Sequence, residues 1–227
     1  MPEPSHRGIV YVAWGRAHVD VARLSAATVK ASNPDLQTAI WCHADDDTTG
    51  FDHAFVIPEG LKRPKVNVLA DSPFAETLFL DNDTSVRADL SSLFDVLQAY
   101  DMAGAQVVLW HRPRHLKKIA RTLPDAFPEI NTGVLLYRRN DRTRAFFEAW
   151  AARFAASGHG IDQPSFREAL WEAEDLRFHT LAPQFNKRVF EASELIWSDQ
   201  PRPRILHLEI LRPTKNRLKR WIANRIR

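Results

Sequence analysis

The chain has 227 residues, a length that suits one sizeable α/β domain with room for a short appendage, and its 44% hydrophobic and 26% charged content is ordinary for a soluble globule. Cys42 is its single cysteine, which excludes an intrachain disulfide and a cysteine-rich zinc site, and no apolar run is long enough to span a bilayer. The net charge of +3 misleads as an average, because residues 212–227 carry seven basic residues and no acid. The remainder is net negative, so the basicity belongs to the C-terminal end and needs an explanation there. Residues 1–7 lack a signal-peptide pattern, which with the lone cysteine points to the cytoplasm.

Residues 8–14, GIVYVAW, read as a first strand, left through Gly15. A helix follows over about 19–31, with Val21, Leu24, Thr28 and Ala31 on one face, and Asn33-Pro34 ends it. Residues 36–42 and 54–57 are the second and third strands. Strand–helix–strand at this end predicts a parallel sheet with right-handed crossovers. Residues 62–70 read as a helix entry, and 78–80 as a strand buried on both faces. Leu90, Leu93, Phe94, Val96 and Leu97 recur at near-helical spacing, and 102–105 is a further strand. The stretch 111–121 is irregular and basic, its bland explanation a solvated face.

Asn131-Thr132-Gly133 introduces a strand at 134–137. Asp141 is placed to cap a helix with Phe147, Trp150 and Phe154 on its buried stripe. Gly158 and Gly160 end that helix. Asp162-Gln163-Pro164 opens another, Asp162 suiting the N-cap, with Phe166, Leu170 and Trp171 buried. Residues 178–181 and 204–208 are late strands.

The chemistry concentrates where the 78–80 strand stops at Asp81-Asn82-Asp83. Ends of strands in open α/β sheets are ligand sites. Two carboxylates that close repel unless a cation lies between them, and Mg²⁺ or Mn²⁺ gripping a diphosphate is such a cation. The competing explanation is a surface turn whose Asp and Asn cap the next helix.

Taken with Asn131-Thr132-Gly133-Val134, Asp162-Gln163 and a late His207, this order resembles the family-eight retaining glycosyltransferases, the group of glycogenin and the bacterial lipopolysaccharide glucosyl- and galactosyltransferases. The resemblance implies a GT-A fold over about residues 8–210, an α/β sandwich with a central, mainly parallel sheet. It implies Asp81, Asp83 and His207 as metal ligands, Asp81 also near the ribose. Val12, Gly15 and His18 fall where the family meets uridine, although a tyrosine is commoner at the last. Lys65, sixteen residues before Asp81, matches a donor-binding lysine; an exposed helix lysine is the alternative. Asn131 and Gln163 match positions lining the sugar, and Asp162 the carboxylate near the reacting carbon, against its simpler role as a cap.

After the late histidine the family carries Gly, then Lys-Pro-Trp. Here residues 207–215 read HLEILRPTK, leaving Lys215 or Arg212 as the phosphate cation. The implied reaction moves a hexose from UDP-glucose or UDP-galactose to a saccharide or lipid-linked acceptor, with Mn²⁺ or Mg²⁺. Two rivals are a haloacid-dehalogenase-like phosphatase with Asp81 as nucleophile, and a nucleotide-sugar-binding protein without turnover. From Lys215 the chain reads as a basic amphipathic helix, with Leu218, Trp221, Ile222 and Ile226 on one stripe. Such a helix suits an anionic membrane surface or docking on the body. No motif supports nucleic-acid binding.

Overall fold

A computed structural model describes residues 6–107, 123–124, 126–158, 160–189, 202–208 and 211. Among the described residues ten strands and five α-helices follow one another, with strand–helix–strand at the N-terminal end as expected of an α/β protein. Seven strands form a mostly parallel sheet of order β3-β2-β1-β4-β7-β6-β8: β1 is Arg7–Val12, β2 Gln37–Cys42, β3 His53–Val56, β4 Glu76–Leu80, β6 Met102–Gln106, β7 Ile130–Arg138 and β8 Phe178–Leu181. β5 (Thr84–Val86), β9 (Lys187–Val189) and β10 (Ile205–Leu208) form a second sheet of order β5-β10-β9. The fold class is the predicted one. β5 and β9 are short, three residues each, and escaped the sequence reading because so few residues carry no period.

The chain divides into two compact units. One is built from the described parts of 9–56, 80–90 and 182–227. In it α1 (Arg16–Ser32) packs against β5, and β2 pairs in parallel with β3. Gly15 starts α1 at φ 75°, a region that a side-chain-bearing residue enters only with strain, and its carbonyl accepts from His18 and Val19 N–H. The expected helix face is corrected. Val19, Ala22, Ser25, Ala26 and Val29 are the buried residues, whereas Leu24 is 66% exposed. Small residues at that spacing allow close approach, and the bulkier Leu24 is left outside.

The other unit comprises the described parts of 1–8, 57–79 and 91–181. It holds α2 (Pro64–Val68), α3 (Ser91–Phe94), α4 (Asp141–Ser157) and α5 (Gln163–Glu172). β6 runs antiparallel to β7 and parallel to β8. α4 packs on α5 and α2, and α5 on β7. Trp150, Phe147, Phe146 and Phe166 form an aromatic cluster there, edge-to-face except for the tilted Phe147–Trp150 pair, the Trp150 and Phe166 rings 5.0 Å apart at 88°. Phe154 of the predicted stripe is only half-buried and Phe146 takes its place. Trp171, expected inside, is 44% exposed with its ring edge-on to Phe127.

Helix starts differ from expectation at the level of side chains. Asn140, not Asp141, caps α4: its side chain accepts from Thr143 N–H, and the Thr143 hydroxyl is paired with the Asn140 N–H. Asp162 stands at the N-cap of α5 but its carboxylate makes no capping bond. Deep in the same unit Asp101, fully buried, accepts from Arg177 and Asn140 and faces Arg142. Burial pushes its carboxyl up, and the bonds from Arg177 and Asn140 with the Arg177 charge outweigh that and hold it well below the usual range.

The reciprocal box at Asn140 has a stability consequence. Asn140→Ala should lower the free energy of unfolding by about 1 kcal/mol, read as a lower urea midpoint at unchanged slope.

Candidate active site

The strand-end aspartates do converge. β4 ends at Leu80, a tight turn carries Asp81-Asn82-Asp83, and the chain enters β5. No helix follows directly, so the helix-capping explanation of the pair falls away. β10 then pairs antiparallel with β5, with His207 opposite Thr84 and Leu206 opposite Ser85. Leu208 N–H also donates to Asp83 O at 2.6 Å, which ties the turn to β10. The imidazole is thereby brought to the carboxylates: His207 Nε2 lies 3.1 Å from Asp83 Oδ1 and 3.8 Å from Asp81 Oδ2.

The turn is held from below by a chain of hydroxyls. Thr84 Oγ1 donates to Asp81 O at 2.9 Å, so its proton is spent. Ser25 must then donate to Thr84 (2.8 Å), and Tyr11 to Ser25 (3.0 Å). Burial pushes the Tyr11 phenol far up, against the hydrogen bond with Ser25, so it stays a donor at any physiological pH.

Asp83 is 2% exposed at its side chain and His207 fully buried, while Asp81 keeps 22%. One ligand atom from each of the three lies within 4.8 Å of the others. His207 Nδ1 is 3.2 Å from Asn186 Oδ1, and a ring proton on Nδ1 donated to that oxygen leaves Nε2 as the ligand atom. Nε2 then carries the lone pair, and it is buried with no hydrogen-bond partner. A lone pair facing two carboxylates is repulsive by itself. A divalent cation among the three reverses the sign, and two hard oxygens with one imidazole nitrogen suit Mg²⁺ or Mn²⁺. The residues therefore fit a metal.

In the same unit His18, in the first turn of α1, takes an N–H of Asn82 on its Nδ1 (3.1 Å), and Asn82 also approaches His18 O (3.3 Å). The middle residue of the Asp81–Asp83 turn is so joined to the helix start. Gly15 N–H donates to Asp46 Oδ2 at 3.1 Å, and Val12 is the half-buried last residue of β1. Val12, Gly15 and His18 thus share the end of β1 and the beginning of α1. Asp46 and Asn186 had no signal in the sequence beyond their polarity, and Asn82 was marked only as part of the acidic turn.

The second unit holds another cluster. Lys65 is not an exposed helix lysine: it is 5% exposed, with Nζ 2.9 Å from Asp162 Oδ2 and 3.2 Å from both Thr132 O and Oγ1. Arg63 donates through Nε (3.1 Å) and Nη2 (2.8 Å) to Asp162 Oδ1, and Thr132 Oγ1 donates to Oδ2 at 2.9 Å. Burial pushes the Asp162 carboxyl up, but the charges of Lys65 and Arg63, with the bonds from Lys65 and Thr132, hold it well below the ordinary range. Asp162 is consequently a fixed charge, not a cap. Asn131 and Gln163 also meet here, with Asn131 Nδ2 3.4 Å from Gln163 Oε1. Arg63 was not singled out from sequence, since nothing local distinguishes it, and Thr132 entered only as a member of the Asn131-Thr132-Gly133 motif, without a role of its own. Lys215, Arg212, the basic stretch 111–121 and the amphipathic tail lie outside the described residues.

This strand order, with an aspartate pair at a strand end, is that of a GT-A fold. Residues 75–220, more than half of the chain, match the Nucleotide-diphospho-sugar transferase family, and the protein belongs to that family. It is a glycosyltransferase that uses a nucleotide-sugar donor, which sets the phosphatase alternative aside. Solved structures share the fold. The galactosyltransferase LgtC, solved with donor and acceptor sugar analogues, superposes with a TM-score of 0.59 at 16% identity, covering 88% of this chain and 86% of LgtC. GlyE of Streptococcus pneumoniae TIGR4 gives 0.63 at 16% identity over 88% of this chain and 54% of GlyE. Mouse xyloside xylosyltransferase 1 gives 0.53 at 12% identity over 92% and 99%. No curated protein sequence matches the chain.

The depressed Asp162 carboxyl links stability to pH. Its ionised form favours the fold fully above the unfolded value of about 4, and this contribution fades as pH falls toward the lower folded value. The stability difference between wild type and Asp162→Asn should therefore be constant from pH 7 to 5 and shrink below about pH 4, measured by urea unfolding at each pH.

Proposed function

We propose that the enzyme transfers glucose or galactose from the UDP-sugar to a saccharide or glycolipid acceptor, with retention of anomeric configuration and with Mn²⁺ or Mg²⁺. The observation that carries this reading is the buried, partnerless Nε2 of His207 beside two carboxylates. Asp81, Asp83 and His207 would hold the ion, and the imidazole favours Mn²⁺. When bound, such an ion is a Lewis acid for the departing diphosphate. Galactosyl transfer by LgtC, which has a similar fold, supports a hexose donor.

The chain's own groups divide the remaining work. Asn186 keeps the His207 ring turned so that Nε2 presents its lone pair. Val12, Gly15 and His18 take the nucleoside, and Asp81 the ribose. Lys65, with Lys215 or Arg212, supplies positive charge to the donor through charge-assisted hydrogen bonds. Asp162, ionised far into acid, supplies a fixed negative charge to a sugar carbon that turns cationic during transfer. Asn131 and Gln163 orient sugar hydroxyls, where small misplacements are costly. These assignments rest on the family pattern together with the burial and pairing given above.

A panel of nucleotide sugars with Mn²⁺, scored for nucleoside diphosphate release, tests the reading. UDP-glucose or UDP-galactose should lead, and Asp83→Asn should lose roughly 100-fold or more in turnover with its melting temperature little changed. Equal turnover in that variant would remove the metal assignment.

We also propose a cytoplasmic, peripheral membrane location through residues 212–227, whose basic and apolar residues suit an anionic surface near a lipid-linked acceptor. Among the described residues no helix is long and apolar enough to cross a membrane. The full chain should float with phosphatidylserine-containing liposomes and lose that recovery on removal of residues 212–227. Identical recovery of both forms would refute the tail's role.

A further inference from the structure

The side chains of Asn131 and Gln163 belong to a hydrogen-bond chain with a fixed polarity. At one end Gly133 N–H donates to Asn131 Oδ1 at 3.0 Å. A backbone N–H is only a donor, so it settles which end of the Asn131 amide is oxygen. The Asn131 amino group therefore faces Gln163 and donates to its Oε1 at 3.4 Å. That in turn leaves the Gln163 amino group facing outward along the chain, where it donates to Glu129 Oε1. A carboxylate is acceptor-only when ionised, and so is the required terminus of a chain that starts at a donor.

Glu129 is 6% exposed, and its second oxygen, Oε2, is buried with no hydrogen-bond partner. Leaving a buried carboxylate oxygen unsatisfied is costly, and such atoms in a folded protein call for an explanation. The mechanism above gives this residue no task, and it was not a candidate in the sequence. Gln163 is half-buried, so the chain of amides reaches the surface beside it.

We propose that Glu129 is a specificity-determining residue whose Oε2 accepts a hydrogen bond from one hydroxyl of the transferred hexose. This rests on the reading that Asn131 and Gln163 line the sugar. An acceptor-only atom demands a donor; a nucleotide hexose offers hexose hydroxyls, ribose hydroxyls and the uracil N–H, and the link of Glu129 through Gln163 to Asn131 selects the hexose. The diphosphate oxygens, being acceptors, are repelled. A site built to accept a substrate O–H rejects the analogue that lacks it far more strongly than an apolar pocket would.

The test is a series of UDP-hexoses, each with one hydroxyl replaced by hydrogen or by fluorine. In the wild type one position should lose roughly 1,000-fold or more in kcat/KM with either replacement, since neither donates. Glu129→Gln keeps an acceptor for Gln163 but turns Oε2 into an amino group. It should lose a similar factor with the parent donor and become nearly indifferent to replacement at that one position. Its affinity for UDP alone, by calorimetry, should match the wild type. The assignment is overturned if the variant ranks the analogues as the wild type does, or if UDP affinity falls in step with kcat/KM. Should Glu129→Gln fail to fold, Glu129→Asp, which keeps the carboxylate, should preserve the ranking at reduced kcat/KM, and a wild-type series without any sensitive position overturns the assignment. Absence of UDP release from every UDP-hexose would instead remove the proposed function, and the role of Glu129 with it.

Discussion

The pairing of β10 with β5 is the constraint on which the candidate metal site depends. His207 lies opposite Thr84, the residue after Asp83, and the Leu208 N–H to Asp83 O bond fastens the turn itself. Without that register the turn presents two acids and no imidazole. With it, His207 Nε2 and one oxygen from each carboxylate lie within 4.8 Å of one another, a donor set that a cation would draw together. The hydroxyl chain from Tyr11 through Ser25 to Thr84 props the same turn from α1 and β1. Strand pairing, helix packing and site geometry are thus one set of contacts.

The second unit solves a different electrostatic problem. A fully desolvated carboxylate, Asp162, is tolerable only because two cations and a hydroxyl satisfy both of its oxygens. Trp150 Nε1 and the Ser165 hydroxyl hold the Asp162 carbonyl from the other side, at 3.1 and 2.7 Å. The residue is therefore immobile and permanently charged. Beside it in the sequence, Gln163 joins a hydrogen-bond chain whose direction is dictated by a single backbone N–H at Gly133. One half of this unit is organised by charge and the other by the direction of hydrogen bonds, and both orient groups before any substrate arrives.

Several features lay open in the sequence for local reasons. The run 78–80 ending in Asp81 announced a buried strand and its exit, because burial on both faces leaves an unbroken apolar word. Phe147 and Trp150 marked the inner side of α4 by their spacing alone. Other readings failed for want of a neighbour. Leu24 pulled the expected face of α1 toward itself, whereas the protein buries Ala22 and Ala26 and leaves the leucine in water. Trp171 looked like core and rests edge-on against Phe127 at the surface. Hydrophobicity states what a residue would gain by burial, and only the partner element decides whether the space exists.

The sequence by itself determined the α/β class, the position of the acidic turn and the list of residues that could serve it, since strand period, helix period and turn chemistry are properties of neighbours along the chain. The tertiary structure alone decided that Lys65 is buried against Asp162, that His207 faces Asp83 with its Nε2, and that Glu129 ends a chain of amides. Each of these joins residues tens of positions apart, where the outcome is set by register, desolvation and the donor or acceptor character of an atom in space, none of which a linear order of residues contains.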